Sequence, residues 1–134
     1  MTVAVLPSGL DRIYPTQNRE LSEKIIENNG CLLSEYPTGS IIFKTNFVQR
    51  NKIVSGLSLG TIVIDTDVKS GTMHTANFTL KQNRVLACFD ICKSGNRLLL
   101  ENENVISIKG KDDIHKVKYQ LEKVKYNFKN EKED

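Results

Sequence analysis

The 134-residue chain lacks the short glycine motifs that bind nucleotide phosphates. Its first apolar run is followed by the turn Ser8-Gly9-Leu10-Asp11, which contains one glycine and does not match the dinucleotide-binding pattern G-x-G-x-x-G. A G-x-x-x-x-G-K-[ST] loop is also absent from the sequence. We therefore expect neither NAD binding nor ATP hydrolysis, and no cofactor.

Cysteine is scarce, with residues at positions 31, 88 and 92 only. An odd number of cysteines cannot form a closed disulfide framework. Zinc would need further ligands, and His74 and His115 do not stand at zinc-finger spacing, so we expect no metal. Because Cys31 and Cys88 lie within apolar runs, both thiols are predicted to be buried. A reducing compartment fits this cysteine usage.

Long apolar runs are missing as well. No segment reaches the roughly 18 apolar residues that a membrane span requires. Met1 leads directly into a strand-like run, without the charged and apolar regions of a secretion signal. These features predict a cytoplasmic protein that neither crosses a membrane nor is secreted.

The overall charge carries little information, because 19 basic and 16 acidic residues leave a formal net charge of +3. Such a small excess is compatible with nucleic-acid binding but does not argue for it. The length suits one domain, which we place at residues 1–126, followed by a charged tail at residues 127–134.

Apolar runs and helical patterns alternate along the chain and predict an α/β fold. The predicted strands are 2–6, 31–34, 61–64, 84–89 and 105–108, and the predicted helices are 18–28, 46–57, 71–82, 97–100 and 112–126. This order indicates a mostly parallel sheet with helices on both faces. Ligands bind such sheets beyond the carboxyl ends of the strands, which selects the loops 7–11, 35–45 and 65–72.

The helical patterns also predict which residues are buried and where one helix ends. Three residues of the first helix are expected to face inward, with Asn18 as its N-cap and Gly30 just past its end. The apolar stripe of the last helix is predicted at positions three and four apart. The inward residues are Leu21, Ile25 and Ile26 on the first helix and Ile114, Val117, Leu121 and Val124 on the last.

The segment 36–64 contains basic residues but no acidic residue. Phe43 and Phe47 lie among its cations, and on a helix Phe47, Arg50 and Asn51 share one face. Single-stranded nucleic acid is bound by this combination, since bases stack on rings while lysine and arginine neutralise phosphates. The basic residues are Lys44, Arg50 and Lys52. In the alternative interpretation Phe47 belongs to the core and the cations form a solvated rim.

A second candidate is the segment Ser70-Gly71-Thr72, between a predicted strand and a predicted helix. Ser70 can cap the helix, and the free N–H groups at its start favour an anion such as a phosphate. The alternative is an ordinary capped helix with water at its end.

Candidates for catalysis are few, and we predict no enzyme. Glu35 follows a predicted strand but has no evident partner acid, and His74 is a lone histidine on a helix. A small-nucleotide binder or nucleotide-processing protein remains the alternative function, with Ser70, Gly71 and Thr72 as its phosphate site and Glu35 as its base.

Five segments, in order, resemble the DprA/Smf DNA-processing family. They are residues 3–18 (VAVLPSGLD, then IYP and Asn18), 33–39 (LSEYP, then Gly39), 47–58 (FVQRNKIVSGLS), 70–76 (SGT, then Thr75-Ala76) and 95–99 (GNRLL). Together they extend over residues 2–108, and their shared order makes the resemblance much more specific than any single motif.

The resemblance implies a Rossmann-like domain that binds single-stranded DNA in a basic pocket. The family's pocket lysine corresponds to Lys44, its base-stacking phenylalanine to Phe47 and its arginine–asparagine pair to Arg50 and Asn51. Lys52 stands where the family has arginine, and the family's glycine-bearing helix start corresponds to residues 70–72. The implied roles are DNA processing, natural transformation (competence) and DNA recombination through loading of the recombinase RecA.

The resemblance also predicts what the sheet lacks. The family's first strands, with one pocket arginine, have no counterpart in this sequence. We therefore expect either a homodimer or a partner that supplies an N-terminal half, since a sheet without its first strands exposes an edge.

Overall fold

The computed structural model describes residues 1–130, which form two compact units, Met1–Val54 and a second unit that begins at Ser55. The first unit contains two parallel strands, which pair from Val3 with Cys31 to Val5 with Leu33. Its elements are β1 (Val3–Val5), a 3-10 turn (Thr16–Asn18), α1 (Arg19–Glu27), β2 (Cys31–Leu33) and α2 (Lys44–Leu57), whose last three residues are grouped with the second unit.

The second unit contains a three-stranded sheet in the order β3-β4-β5, and both strand pairs are parallel. Its elements are β3 (Gly60–Val63), α3 (Gly71–Lys81), β4 (Val85–Phe89), α4 (Ser94–Leu100), β5 (Val105–Ile108) and α5 (Lys111–Asn130). The predicted α/β class with parallel strands is confirmed. A single domain over residues 1–126 stays a prediction.

Helices cover both faces of the three-stranded sheet, as predicted. One layer joins Leu86 and Cys88 of β4 to Ala76 of α3 and Leu99 of α4. The other layer joins Ala87 of β4 and Ile108 of β5 to Val117 of α5. Successive residues of a strand point to opposite faces, so Ala87 belongs to one layer and its neighbours to the other. Burial raises the pKa of the Cys88 thiol, as expected for a packing residue.

Two helices end at an asparagine in the left-handed conformation, Asn29 (φ 58°) after α1 and Asn83 (φ 53°) after α3. The Gly30 N–H donates to the Ile25 carbonyl, which closes a Schellman motif in which asparagine takes the usual place of glycine. Gly30 is needed for another reason. A Cβ there would lie 2.6 Å from the Thr2 carbonyl oxygen. Glycine is therefore required because a side chain would not fit, and not because the helix ends there.

Several burial predictions for the first unit are wrong. Leu21 and Ile26 are both 56% exposed, and α1 instead buries Ser22 and partly buries Ile25. A sheet of two three-residue strands is too narrow to cover a wide apolar face. Cys31 is also exposed, because it begins the short strand β2. Asn18 stands at the N-cap position but makes no side-chain cap hydrogen bond, since the preceding 3-10 turn replaces the extended cap geometry.

The second unit departs from prediction at its edges. Ile62 and Ile64 were expected in a buried strand but are exposed, because β3 is the edge strand of this sheet and α5 packs over β4 and β5. Ile114 is exposed at the start of α5, whereas the rest of the predicted stripe faces inward. The last helix continues to Asn130, beyond the predicted end at 126, and the rest of the predicted tail (131–134) lies outside the described residues.

The Asp113 side chain binds backbone N–H groups just before α5. Its Oδ2 accepts hydrogen bonds from the backbone N–H groups of Lys109 (2.9 Å) and Gly110 (3.3 Å), and its Oδ1 accepts from Lys116 Nζ at 2.8 Å. The Lys116 hydrogen bond and these backbone donors lower the pKa of Asp113 from 3.8 to about 2. The charged carboxylate is therefore the form that the fold stabilises.

We expect Asp113→Asn to weaken the dependence of stability on acidic pH. A lowered folded-state pKa stabilises the protein fully above the unfolded value of 3.8, and this contribution disappears as the pH falls through about 2. Urea unfolding followed by circular dichroism between pH 2 and 5 measures the effect. Asp112→Asn removes the neighbouring carboxylate, which accepts none of the three hydrogen bonds made by Asp113, and serves as the matched control. Identical curves for native and Asp113→Asn proteins would contradict the assignment.

Candidate functional site

Two loops meet beyond the carboxyl ends of β1 and β2 in the first unit. Ser34 Oγ donates to the Ser8 carbonyl oxygen at 2.6 Å, and the Gly39 N–H donates to Asp11 Oδ2 at 3.0 Å. Gly9 leaves no room for a side chain, since a Cβ would stand 2.5 Å from the Pro37 carbonyl oxygen. The loops 7–11 and 35–45, selected from the sequence, therefore form one hydrogen-bonded surface.

The beginning of α2 is anchored to the same sheet edge. The buried Asn46 donates from Nδ2 to the Pro7 carbonyl oxygen at 3.0 Å. Arg50 donates from one terminal nitrogen to the Val5 carbonyl oxygen at 2.8 Å and from Nε to Asn51 Oδ1 at 3.0 Å. Arg50 and Asn51 thus orient the helix on β1, a role that charge alone does not predict. Asn46 was missed because a lone asparagine at a helix start carries no distinct pattern.

Phe47 is half-buried, so it is neither fully exposed for base stacking nor fully part of the core, which were the two alternatives predicted from the sequence. Its ring makes an edge-to-face contact with the ring of Tyr14, with centroids 5.8 Å apart and planes at 70°. Tyr14 is 47% exposed, and Phe43, one helical turn before Phe47, is also exposed. An aromatic surface therefore follows the first turns of α2. Tyr14 was missed because its loop position relative to α2 is not encoded in local spacing.

The two lysines of this surface differ in their surroundings. Lys44 is exposed and forms no salt bridge with any carboxylate of residues 1–130. Lys52 Nζ lies 3.9 Å from Glu35 Oε2, a distance at which exposed charges attract only weakly. Burial, with the charge and hydrogen bond of Glu35 adding to it, raises the pKa of Tyr36. Glu35 therefore lies beside Lys52 and Tyr36, and a role as a base stays a prediction.

The predicted helix start at Ser70 is confirmed in the second unit. Ser70 Oγ accepts a hydrogen bond from the Thr72 N–H at 3.2 Å, and its carbonyl oxygen accepts from the Met73 N–H at 3.1 Å. Gly71 is exposed, and a Cβ there would meet no atom within 4 Å. This helix start is open to solvent on the Gly71 side, while the binding of an anion there stays a prediction.

Asn96 holds together the carboxyl ends of β3 and β4, which flank this helix start. Its Oδ1 accepts from the Thr66 N–H at 2.8 Å, and its Nδ2 donates to the carbonyl oxygens of Ile64 (3.0 Å) and Phe89 (2.8 Å). The side chain is fully buried. The preceding Gly95 approaches so closely that a Cβ would stand 2.7 Å from the Thr66 carbonyl oxygen. The glycine–asparagine pair is thus explained by backbone packing.

The eight predicted binding residues are divided between the units. Lys44, Phe47, Arg50, Asn51 and Lys52 lie in the first unit, within the first nine residues of α2. Ser70, Gly71 and Thr72 lie at the start of α3 in the second unit.

One catalytic pattern was missed from the sequence, since residues 56–60 spell G-x-S-x-G. A nucleophile elbow places this serine on a turn that leads from a strand into a helix. Here Ser58 follows α2 and precedes β3, so the order is reversed. The match therefore does not define a nucleophile.

Within the described chain, no helix is both long and apolar enough to cross a membrane. Residues 1–130 also contain no group of three or more His, Cys, Asp or Glu side chains placed to hold a metal ion.

A parallel α/β architecture with polar and aromatic residues at the carboxyl ends of its strands defines a Rossmann-like protein. The family of DNA recombination-mediator protein A matches residues 1–118, and the chain belongs to that family.

Curated relatives carry the names Smf and DprA. The chain is 36% identical to protein Smf of Synechocystis sp. in an alignment of 122 positions that covers 81% of this chain and 30% of the relative. It is 32% identical to protein Smf of Borreliella burgdorferi in an alignment of 134 positions that covers 99% of this chain and 41% of the relative. The chain spans less than half the length of these relatives.

Two solved structures share the fold. DNA processing protein A from Helicobacter pylori, described with its single-stranded DNA binding mode, is 30% identical with a TM-score of 0.76. That match covers 91% of this chain and 57% of the other. DprA from Streptococcus pneumoniae is 29% identical with a TM-score of 0.69, covering 84% of this chain and 41% of the other. The predicted family and Rossmann-like fold are confirmed.

Proposed function

We propose that the chain binds single-stranded DNA through the surface formed by Lys44, Phe47, Arg50, Asn51 and Lys52, called here the α2 surface. The observation that carries the proposal is the exposed Lys44, which pairs with no carboxylate of residues 1–130 and stands one helical turn from the half-buried ring of Phe47. A phosphate can approach Lys44 without displacing a carboxylate, while a base stacks on Phe47.

The other members of the α2 surface have supporting roles. Arg50 and Asn51 hold the helix against the Val5 carbonyl oxygen and so keep the Phe47 ring in place. Lys52 is half exposed beside Glu35 and contributes positive charge at longer range. The Helicobacter pylori relative, whose structure is described with its single-stranded DNA binding mode, supports the same ligand for this chain.

The helix start at Ser70, Gly71 and Thr72 is proposed as a further phosphate contact. Its capped first turn and the open space beside Gly71 support this assignment, because the N–H groups and the helix dipole favour an anion. Free nucleotide is the alternative ligand for the same helix start. A thermal-shift screen with mono-, di- and triphosphates separates the two, since a ligand that binds only the folded chain raises its stability by RT ln(1 + [L]/Kd).

We expect Lys44→Ala to weaken binding to labelled oligo-dT and to reduce its salt dependence. Loss of one phosphate contact lowers the slope of log K against log salt by about 0.7 for a single strand. Fluorescence anisotropy at four salt concentrations measures both quantities. Lys118→Ala removes the same charge from an exposed residue of α5 that pairs with Glu122, and it serves as the matched control.

The binding proposal predicts a smaller slope for Lys44→Ala than for Lys118→Ala. Equal slopes in these two variants, with both proteins folded, would show that Lys44 contacts no phosphate. Absence of oligo-dT binding by the native chain at low salt would reject the function itself.

The family also implies roles that involve further partners. We propose loading of the recombinase RecA, participation in natural transformation and homodimer formation as further roles, which the resemblance to the DprA/Smf family implies and which are compatible with the family's designation as a recombination mediator. Because the chain spans less than half of its curated relatives, each role needs its own measurement. Sedimentation of the free chain tests the dimer, and strand-exchange assays with RecA test the loading.

A further inference from the structure

We infer that Tyr14 is a second base-stacking residue, so that the α2 surface and Tyr14 together hold two consecutive nucleotides. The inference rests on the proposed single-stranded DNA binding and adds a nucleotide subsite to it. Its basis is the direct contact between the Tyr14 and Phe47 rings, whose centroids are 5.8 Å apart.

The geometry leaves room for stacking on both rings. The two planes meet at 70°, and an edge-to-face contact of this kind occupies only one of the four ring faces. Tyr14 is 47% exposed, whereas a tyrosine that served only to pack Phe47 could be covered completely at no cost to that contact. The exposed part of the Tyr14 ring is open to a base, and the half-buried Phe47 ring offers a smaller surface.

The distance between the rings suits neighbouring nucleotides of one strand. Consecutive nucleotides are spaced by about 3.4 Å in a stacked strand and by more when the strand is extended. Rings 5.8 Å apart can therefore each receive a base without a skipped nucleotide. Because the rings are not parallel, the two bases would be turned relative to each other, as occurs when a single strand is splayed over a protein surface.

The polar groups near Tyr14 complete the subsite. The phenolic hydroxyl has no hydrogen-bond partner among residues 1–130, so it can serve a base edge or a phosphate. Arg12, two residues earlier, is exposed and forms no salt bridge within the described part of the chain. Asp11, the nearest carboxylate in sequence, already accepts a hydrogen bond from the Gly39 N–H. Arg12 can therefore supply a cation to a phosphate at this subsite, while Asp11 keeps its negative charge and is held by the Gly39 N–H.

The test compares two substitutions of the same residue. Tyr14→Leu removes the aromatic face but keeps apolar volume against Phe47, and it should weaken oligo-dT binding by roughly 5- to 150-fold, the range that corresponds to stacking of one base. Tyr14→Phe keeps the ring and should bind within a few fold of the native chain. Affinity is measured by anisotropy, with Phe47→Leu and Lys44→Ala in parallel.

Two readouts separate a base contact from mere support of Phe47. The chain has four tyrosines and no tryptophan, so tyrosine fluorescence is measurable, and a base stacked on Tyr14 quenches it. That part of the quenching should disappear in Tyr14→Phe although binding remains. The second readout uses a set of dT hexamers, each with a single abasic site at a different position. An abasic site at the position that stacks on Tyr14 should weaken binding to the native chain but not to Tyr14→Leu.

The possible results are distinguishable. Loss of affinity in Phe47→Leu and Lys44→Ala, with native affinity in Tyr14→Leu, would overturn the second subsite and leave the proposed function intact. Equal abasic profiles for native and Tyr14→Leu proteins would likewise assign Tyr14 to packing. A native chain that does not bind oligo-dT would overturn both proposals.

Discussion

Asn96→Ala is expected to lower the free energy of unfolding by about 2–4 kcal/mol, because the Asn96 side chain bonds to three backbone groups, one of which is a buried N–H that would lose its partner. These groups are the Thr66 N–H and the carbonyl oxygens of Ile64 and Phe89. Asn96 is fully buried, so water cannot replace the lost bonds without opening the structure. Urea unfolding followed by circular dichroism measures the change.

Asn96→Asp provides a sharper test of the same arrangement. The carboxylate can still accept from the Thr66 N–H, but it cannot donate to the Ile64 and Phe89 carbonyl oxygens and would place a charge beside them. We therefore expect Asn96→Asp to be at least as destabilised as Asn96→Ala at neutral pH. Asn104→Ala, at an exposed asparagine of the same unit, is the control and should change stability by no more than about 0.5 kcal/mol.

This prediction would fail if Asn96→Ala and Asn104→Ala unfolded at the same urea concentration. A loss confined to Asn96 variants would establish that the carboxyl ends of β3 and β4 are held by one side chain. The total stability of a domain of this size is about 5–15 kcal/mol, so the expected loss is a large fraction of it.

Phe47→Leu is expected to weaken oligo-dT binding by about 1–3 kcal/mol, the contribution of one stacked base, which corresponds to a 5- to 150-fold higher Kd. Leucine keeps apolar volume against Tyr14 but offers no flat face to a base. Because Phe47 is only half-buried, the substitution should reduce stability much less than binding. Anisotropy with labelled oligo-dT and urea unfolding on the same samples measure both.

Phe128→Leu is the matched control, since it makes the same change in the second unit. The Phe128 ring packs against the Arg84 guanidinium, 4.2 Å from the ring centroid, so its loss should affect stability rather than DNA affinity. Binding that is equally weakened in Phe47→Leu and Phe128→Leu would indicate a general loss of folding. Unchanged binding in Phe47→Leu would contradict a base contact at Phe47.

The sequence alone showed the charged and aromatic residues of the candidate site, but it did not show which distant residues they contact. The absence of acidic residues between 36 and 64 selected Lys44 and Phe47 directly. The hydrogen bond from Arg50 to the Val5 carbonyl oxygen joins residues 45 positions apart, and no local pattern encodes such a pairing. The same holds for the contact between Tyr14 and Phe47. Burial was mispredicted where an apolar pattern met a narrow or edge strand, as at Leu21 and Ile62.

The sequence by itself determined the order of strands and helices, the parallel α/β class, the capped start of α3 and the family. These properties depend on short-range periodicity, capping chemistry and motifs that stand in a fixed order. The tertiary structure alone decided which polar side chains hold the strand ends, namely Asn46, Arg50 and Asn96. Buried polar groups must find partners wherever the backbone leaves them, and those partners are distant in sequence.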